Sequence, residues 1–254
     1  MSYTGIQMRR ESETTWTDTL EEWGLILLDD LTIDEAKLKE TWVDVPGANG
    51  ALNLSYVMTD GEPVYEMRNI SFTLFCSGLG RSGGALTHGT PPDEQAVNLI
   101  RAQLQGRYHG RTIDIILPDD PTHFFRGVLS VGAKSKFNSG RIPITIKAYP
   151  FRLNNTLIEV EMAPGTRYEL TNSGSMRITP DVHVIFPEVD PPTNIGIYKI
   201  SPEPSQGWDI YSRNGLDQNR KLEGLYLYPG TTTLSRGPLF ETTRVTVSYR
   251  EGRL

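Results

Sequence analysis

The segment from Arg111 to Leu153, RTIDIILPDDPTHFFRGVLSVGAKSKFNSGRIPITIKAYPFRL, decides the fold class of this chain. Apolar residues recur there at every second position: Ile113, Ile115, Leu117, Ile142, Ile144, Ile146 and Ala148. The positions between the last four hold Arg141, Pro143, Thr145 and Lys147. A two-residue period predicts half-buried antiparallel strands, because successive side chains point to opposite faces. Turn-forming residues at Pro118–Pro121 and Asn138–Gly140 separate these strands.

The composition fits a turn-rich β protein of one large or two ordinary domains. The chain has 254 residues, of which 37% are hydrophobic, 24 are glycine and 17 are proline. Domains commonly run to roughly 100–200 residues. The net charge of −6 provides no basic surface for gripping nucleic acid. An acidic balance would suit a surface that must not adhere to DNA, but it is equally ordinary for a soluble protein.

The sequence carries no feature that predicts secretion or membrane insertion. Cys76 is the only cysteine, so no intrachain disulfide can form, and folding in a reducing cytoplasm is expected. The segment after Arg9 and Arg10 is polar, whereas a twin-arginine signal requires an apolar one. The longest aliphatic run, Leu25–Leu28, is far shorter than the ~20 residues that span a bilayer. We therefore expect neither a signal peptide nor a membrane anchor.

Turn residues divide the chain into an arm and two β-rich domains. The polar residues 1–22 are expected to form an N-terminal arm, and residues 23–153 an antiparallel β domain. Ile33–Glu40 contains helix formers, but we favour an extended conformation because tertiary context overrides propensity in short segments. The second domain, residues 154–254, begins at two turn-forming asparagines. Other strands of the first domain are predicted at Trp23–Leu28, Trp42–Val45, Leu52–Tyr56 and Asn69–Cys76.

The first domain also contains one predicted helix, from Asp93 to Gln105 (residues 93–105). Its apolar stripe consists of Val97, Ile100 and Leu104. Asp93 or Thr90 is suited to cap the start of the helix, and Gly106 is suited to end it. The preceding segment, Ser77–Pro92, is predicted to be a glycine-rich loop.

The second domain is predicted to be a β-sandwich or jelly roll. Its turn signals recur at roughly 8–12-residue spacing, which is typical of these folds. Two strand faces are predicted from alternation: Val182, Val184 and Phe186, and then Val245, Val247 and Tyr249. Further strands are predicted at Ile195–Ile200, Trp208–Ile210 and Leu225–Tyr228.

No constellation of residues in the sequence predicts catalysis, a metal or a cofactor. Gly78–Gly83 matches the dinucleotide motif G-x-G-x-x-G, but a further nine residues, Gly84–Pro92, separate it from the helix whose N-terminus would bind phosphate. Asp29-Asp30 and Asp119-Asp120 are interpreted as turn residues. Zinc sites need three or four convergent donors. The histidines do not have that spacing: His88, His109, His123 and His183.

Aromatic residues of the second domain leave an alternative function open. Trp208, Tyr211, Tyr226 and Tyr228 could form a platform for a sugar, but aromatic residues are equally common as packing partners between strands. The alternative is a carbohydrate-binding module that contributes to host cell-surface adhesion. We also interpret four residues as structural turn positions: Pro46, Gly47, Gly50 and Gly127.

The order of motifs over the first 150 residues resembles the distal tail protein family of long-tailed, siphovirus-type bacteriophages. Four segments carry this resemblance: Trp23–Leu27, Trp42–Gly50 with the following Leu-x-Leu, Tyr65–Phe72, and the helix followed by Gly110–Ile115, an Asp-Asp-Pro turn and Phe124–Leu129. The remaining residues resemble the family only in being β-rich. The segment 77–92 and the N-terminal residues are longer than the family pattern, so the resemblance does not predict their contacts.

The resemblance implies a structural virion protein without enzymatic activity. The first domain would close into a homohexameric ring, and the second would be a galectin-like β-sandwich that projects outward. The ring would join the tail tube protein to the tail tip or baseplate and serve as a hub for receptor-binding proteins. DNA would pass through the lumen without specific binding. The protein would be made and assembled in the host bacterial cytoplasm and located at the virion tail tip.

Overall fold

The computed structural model describes residues 4–47, 49–55, 63–77, 79–82, 85–88, 94–133, 140–202, 205–237 and 242–254. Within these ranges the chain is mainly β, as predicted. It divides into two compact units, Met1–Arg152 and Leu153–Leu254. Each unit has a hydrophobic core of its own.

The first unit consists of short and long strands with two α-helices. Its strands are β1 (Gln7–Arg10), β2 (Thr17–Asp18), β3 (Leu25–Leu27), β4 (Thr32–Ile33), β5 (Trp42–Asp44), β6 (Ala51–Asn53), β7 (Arg68–Cys76), β8 (Leu79–Ser82), β9 (Ala85–His88), β10 (Thr112–Ile116), β11 (His123–Val131) and β12 (Arg141–Asn154). Its helices are α1 (Thr19–Trp23) and α2 (Glu94–Tyr108).

The main sheet of this unit has the strand order β2-β1-β10-β11-β12-β7-β3, and β4 also pairs with β7. Strands β7 and β12 are antiparallel and in register from Arg141↔Phe75 to Ala148↔Arg68. The apolar face predicted from alternation is confirmed, because every member is at most 2% exposed: Ile113, Ile115, Leu117, Ile142, Ile144, Ile146 and Ala148. Strand β10 differs from the prediction of a half-buried strand, since Asp114 and Ile116 on its other face are also buried.

The N-terminal residues are part of this sheet, so the prediction of an arm at residues 1–22 was wrong for the described residues. Strand β1 pairs with β10 from Gln7↔Ile116 to Arg10↔Ile113. Ile6 and Met8 are fully buried in the core. The polar sequence concealed this strand. Arg9, on the face opposite Met8, pairs with Asp114 of the same sheet, and Arg10 pairs with Glu13 in the segment that follows the strand.

The strand predicted at Trp23–Leu28 begins two residues later than expected. Asp18 accepts hydrogen bonds from the backbone N–H groups of Leu20 and Glu21 and so caps α1. Gly24 ends that helix in the left-handed region, with φ 63°. Trp23 is therefore helical.

Helix α2 is longer than predicted and does not end at Gly106. It continues to Tyr108, and the chain reaches a positive φ of 70° only at Gly110. Val97 and Leu104 are buried as predicted, together with Arg101 and Tyr108. The proposed capping residues, Thr90 and Asp93, lie outside the described residues.

The segment 77–92, predicted to be a loop, contains a β-hairpin in its described part. Strand β8 pairs with β9 from Leu79↔His88 to Ser82↔Ala85. By contrast, the predicted extended conformation of Ile33–Glu40 is confirmed: no helix forms within it, β4 ends at Ile33 and Leu38 forms an isolated bridge with Tyr65.

The second unit contains two antiparallel four-stranded sheets. One has the order β13-β20-β15-β18 and the other β14-β19-β16-β17. The strands of this unit are β13 (Ile158–Glu161), β14 (Arg167–Asn172), β15 (Asp181–Ile185), β16 (Asn194–Ser201), β17 (Gln206–Tyr211), β18 (Asp217–Arg220), β19 (Gly230–Arg236), β20 (Arg244–Tyr249) and β21 (Gly252–Arg253). Residues of both sheets form one core, including Val184, Val245, Ile197 and Leu234. Two sheets around one core are typical of a β-sandwich; the galectin-like class stays a prediction.

Candidate assembly surface and other candidate sites

Strands β5 and β6 form a hairpin that, among the described residues, is not paired with the main sheet. Trp42 and Val43 are neighbours in β5 and therefore point to opposite faces of the hairpin. Both are exposed, by 55% and 42%, and Leu52, which pairs with Val43, is 54% exposed. Neither face of the hairpin is therefore buried. An isolated two-stranded hairpin is at best marginally stable in water, so this one is suited to packing against another chain.

Apolar exposure extends from the hairpin to the segments that flank it. We call this set of residues the hairpin surface: Ile33, Leu38, Trp42, Val43, Val45, Leu52, Val64 and Met67, which are each 36–55% exposed. The flanking segments are joined by backbone hydrogen bonds, from Lys39 N to Val64 O (2.7 Å) and from Glu66 N to Lys37 O (2.8 Å). Exposed apolar side chains commonly mark an interaction site where they lie together on a protein surface.

The local sequence explains why the hairpin forms. Gly47 and Gly50 adopt φ values of 84° and 86°, which side chains disfavour, and Pro46 lies in the same turn. Ala48 lies outside the described residues. At the other end, the Thr41 N–H donates to Ser55 Oγ (2.7 Å) and Leu54 N–H donates to Thr41 O (2.8 Å).

Gly127 was grouped with these turn residues from the sequence, but it lies inside β11. A Cβ atom at Gly127 would lie 2.5 Å from the carbonyl oxygen of Lys147 and 2.6 Å from Cα of Ala148. This glycine therefore permits close approach of β11 and β12 rather than a turn.

Opposite the apolar core, β1, β10 and β11 are joined by a buried charge cluster. Asp114 is fully buried; its Oδ2 accepts from Arg9 Nη2 (3.0 Å), and its Oδ1 accepts from Arg126 Nε (2.7 Å). Arg126 also donates to Glu11 (2.7 Å), and the Arg9 guanidinium lies 4.2 Å from the centre of the Trp16 ring. Hydrogen bonding to Asp114 raises the pKa of Arg126, and burial only partly opposes this. Because each charge of the cluster is paired with an opposite charge by short hydrogen bonds, we interpret the cluster as structural.

Asp120 has the structural role at a turn that the sequence predicted for the Asp119-Asp120 pair. Its Oδ1 accepts from Thr122 Oγ1 (2.8 Å) and lies 3.0 Å from His123 Nδ1, and its Oδ2 accepts from Arg152 (2.9 Å). Burial raises the pKa of Asp120, but hydrogen bonds from His123 and Thr122 and the charges of His123 and Arg152 outweigh it, so the pKa is lowered.

The four aromatic residues singled out in the sequence do not share one platform. Trp208 packs against the second core and donates from Nε1 to Glu223 O (2.7 Å). Tyr211 is three residues further along β17 and so points to the other face of that strand; Arg213 lies 4.8 Å from its ring centre. Tyr226 and Tyr228 contact each other edge to face at 6.3 Å.

The remaining sequence motifs form no site in the described part of the chain. Leu79–Ser82 of the G-x-G-x-x-G motif form a strand rather than the turn before a helix, and Gly78 and Gly83 lie outside the described residues. Across the described ranges, no group of three His, Cys, Asp or Glu side chains is arranged to hold a metal ion. The helices in those ranges are too short or too polar to cross a bilayer.

Comparison with solved structures identifies a protein of similar architecture. The crystal structure of the SPP1 Dit protein aligns over 98% of this chain and 99% of that chain, with a TM-score of 0.58 and 10% sequence identity. The chain has the fold of SPP1 Dit. That protein is described as a paradigm of the hub adsorption apparatus in phages that infect Gram-positive bacteria. The similarity of fold expected from the sequence resemblance is therefore confirmed.

A second solved structure aligns with this chain only weakly. The mosquito-larvicidal Cry4Aa toxin of Bacillus thuringiensis aligns over 98% of this chain and 52% of its own, with 8% identity and a TM-score of 0.26, which is too low to support an argument. No protein-family model matches the chain. No curated protein matches it.

Sequence reasoning missed two arrangements that the structure brings together. The first is the charge cluster; a signal for it was present, because Asp114 interrupts an otherwise apolar strand and Arg9 lies in a segment read only as polar. The second is the position of Tyr198, an exposed residue of β16 whose ring lies over Gly196 of the same strand and Gly207 of β17. No local pattern in the sequence reports that proximity.

Proposed function

We propose that this chain is a structural hub protein of a phage tail tip, forming a homohexameric ring at the distal end of the tail tube. The full-length similarity to the Dit fold is the single observation that carries this proposal. In this role the first unit is the ring-forming domain, and the second is a galectin-like sandwich that projects outward. The ring joins the tail tube protein to the tail tip and receptor-binding proteins, and the protein acts without enzymatic chemistry.

The hairpin surface is the proposed contact between copies in the ring. Its two exposed faces leave Trp42 and Leu52 in water in the single chain, and large aromatic and aliphatic side chains of this kind commonly anchor interfaces. A head-to-tail contact, in which the hairpin of one copy packs on a different surface of the next, closes into a ring if the rotation is right.

Passage of DNA through the ring is a further part of the proposal. A net charge of −6 per chain supports a lumen that repels rather than binds the phosphate backbone. Mapping of basic residues to the inner rim of an assembled ring would contradict this part. The proposed location is the tail tip of the virion, after synthesis and assembly in the host bacterial cytoplasm.

Light scattering and negative-stain imaging test the ring directly. A hexamer of 28.4 kDa chains has a mass of about 170 kDa and should appear six-fold symmetric. The double variant Trp42→Ser, Leu52→Ser should shift the protein to monomers while its melting temperature stays near that of the unassembled wild type. The matched control is Val189→Ser, which removes an 80% exposed apolar side chain from the second unit. Exclusively monomeric wild-type protein at high concentration would count against the ring.

A further inference from the structure

Tyr198 lies on the outer surface of the sheet formed by β14, β19, β16 and β17, above two glycines. A Cβ atom at Gly196 would lie 2.4 Å from the Tyr198 hydroxyl, and one at Gly207 would lie 2.8 Å from its Cδ1. Gly207 pairs with Tyr198 across the strands, and Gly196 precedes it by two residues on the same face. The ring thus occupies the space that side chains at both positions would fill, and it lies along the sheet.

The other side of the Tyr198 ring is open to solvent. The residue is 46% exposed. Among the described residues, no aromatic ring or cation is placed against it, and its hydroxyl has no hydrogen-bond partner. Tyr211, on the same outer face, differs in that the Arg213 guanidinium already lies over its ring.

Polar side chains lie beside the hydroxyl end of this ring. Asp209 pairs with Gly196 and therefore projects from the same face, next to the position over which the Tyr198 hydroxyl lies. Asn194 donates from Nδ2 to one Asp209 carboxylate oxygen (3.1 Å), which holds that carboxylate in place. Ser235 pairs with Tyr198 from the neighbouring strand β19 and adds a hydroxyl on the same face.

We propose that Tyr198 is the stacking platform of a binding site for an uncharged sugar ring. A pyranose presents an apolar C–H face and a rim of hydroxyl groups. The solvent-exposed face of the Tyr198 ring can stack on that apolar face. Asp209 can accept hydrogen bonds from the sugar hydroxyls, and Asn194 can donate hydrogen bonds to them. Because both glycines lack a side chain, the tyrosine ring already lies against the sheet before a ligand binds. Little side-chain entropy is therefore lost on binding.

Charge selects among the possible occupants of this platform. The Asp209 carboxylate repels phosphate and carboxylate groups, which disfavours nucleic acid and anionic polymers. Sugar hydroxyls, in contrast, are the hydrogen-bond donors that a carboxylate accepts. The site differs from the sequence-based hypothesis, which included Trp208 on the core-facing side of the sheet and omitted Tyr198.

Saturation-transfer NMR on the full chain tests the site with methyl glycosides of glucose, galactose, rhamnose and N-acetylglucosamine. At least one glycoside should receive saturation, and Tyr198→Ala should weaken its affinity about tenfold, equivalent to ~1.4 kcal/mol. Tyr198→Phe should retain most of the binding, since the ring remains. Tyr149→Ala, which removes a tyrosine that is 52% exposed in the first unit, is the matched control and should bind as wild type.

A second comparison tests the role of Asp209. Glucose 1-phosphate should bind more weakly than methyl glucoside, and Asp209→Asn should reduce that difference. The alternative is that Tyr198 only covers the glycine backbone. In that case Tyr198→Ala lowers the melting temperature, and either the variant binds glycosides as tightly as wild type or the wild type binds none. Either result overturns the proposal. Ring formation does not depend on this site, so light scattering of the same variants separates the two proposals.

Discussion

At the scale of single residues, the two faces of β10 hold different kinds of interaction. Ile113 and Ile115 contribute apolar area to the first core, whereas the single charge of Asp114 between them forms ion pairs with two arginines, Arg9 and Arg126. Burial of the aliphatic residues stabilises by roughly 25 cal/mol per Å² of apolar area removed from water. The Asp114 carboxylate is tolerated there only because both arginines remain with it.

The most severe single substitution is expected on the apolar face. Ile144→Lys would place an unpaired ammonium at a position that is 1% exposed and opposite Phe72. Burial of an unpaired charge costs several kcal/mol, so the first unit should melt at a much lower temperature or fail to fold. The control is Thr145→Lys on the exposed face of the same strand, which should change the melting temperature little. Equal effects of the two variants would show that the faces are assigned wrongly.

Acid stability should depend on Asp120. Its pKa in the folded protein is lowered from the ordinary value of 3.8. It therefore stabilises the fold at pH values above its pKa in the unfolded chain, about 3.9, and this contribution is lost as the pH falls through the lower folded value. Asp120→Asn should reduce the loss of unfolding free energy that occurs as the pH is lowered below about 5. Asp119→Asn, at the exposed neighbouring position, should leave the pH profile unchanged.

At the scale of strands and helices, glycines have opposite roles in β11 and α2. Gly127 is required because a side chain there would collide with the backbone of β12, within 2.5 Å of Lys147 O. Gly106 lies inside α2 with no atom within 4 Å of its Cβ position. The first glycine is therefore a packing requirement, and the second is a local weakness of the helix.

Alanine substitutions should reveal this difference as changes of opposite sign. Gly127→Ala should destabilise the first unit by about 1–3 kcal/mol because the strands must separate. Gly106→Ala should stabilise it by up to about 1 kcal/mol through helix propensity. Chemical denaturation of the two variants measures both effects. A destabilising Gly106→Ala would mean that the helix does not include this position.

The same elements show which parts of the fold the sequence could predict. Alternation located the buried faces of β7, β10 and β12, because one face of each strand packs on a continuous core. It missed β1, because Arg9 pairs with Asp114, which is 105 positions away in the chain. The other arginine of this strand, Arg10, pairs with the nearby Glu13. The sequence also predicted that α2 stops at Gly106. The helix continues to Tyr108, because packing of Tyr108 in the core outweighs the low helix propensity of glycine.

The candidate sites were less predictable than the fold. The turn glycines of the hairpin, Gly47 and Gly50, were evident from the sequence, but the exposure of both hairpin faces was not. Trp208 was placed in a sugar platform because sequence alone does not tell whether an aromatic ring in a strand faces the core or the solvent. Tyr198 was missed because Gly207, from the neighbouring strand, completes its surroundings.

At the scale of the whole molecule, the two units have separate cores and should be separable. The second unit encloses Val184, Ile197, Leu234 and Val245 between its own sheets. A fragment of residues 154–254 is expected to fold and to melt cooperatively, as checked by circular dichroism and dispersion of its NMR spectrum. It should remain monomeric, because the proposed ring contacts belong to residues 23–153. An unfolded fragment would refute the predicted domain division at residues 153–154.

The strict alternation of β12 also limits how a lineage that carries this fold can change. Substitutions at Arg141, Thr145 or Lys147 leave the buried face intact, whereas deletion of one residue would exchange the two faces of every position beyond it. Selection in such a segment acts more strongly on the number of residues, and on which positions are apolar, than on which amino acid occupies each position. Chains with this architecture can thus drift until few residues coincide, provided that insertions fall in the turns. The alignment with SPP1 Dit, nearly complete in both chains, shows that one fold can be encoded by two sequences with 10% identity.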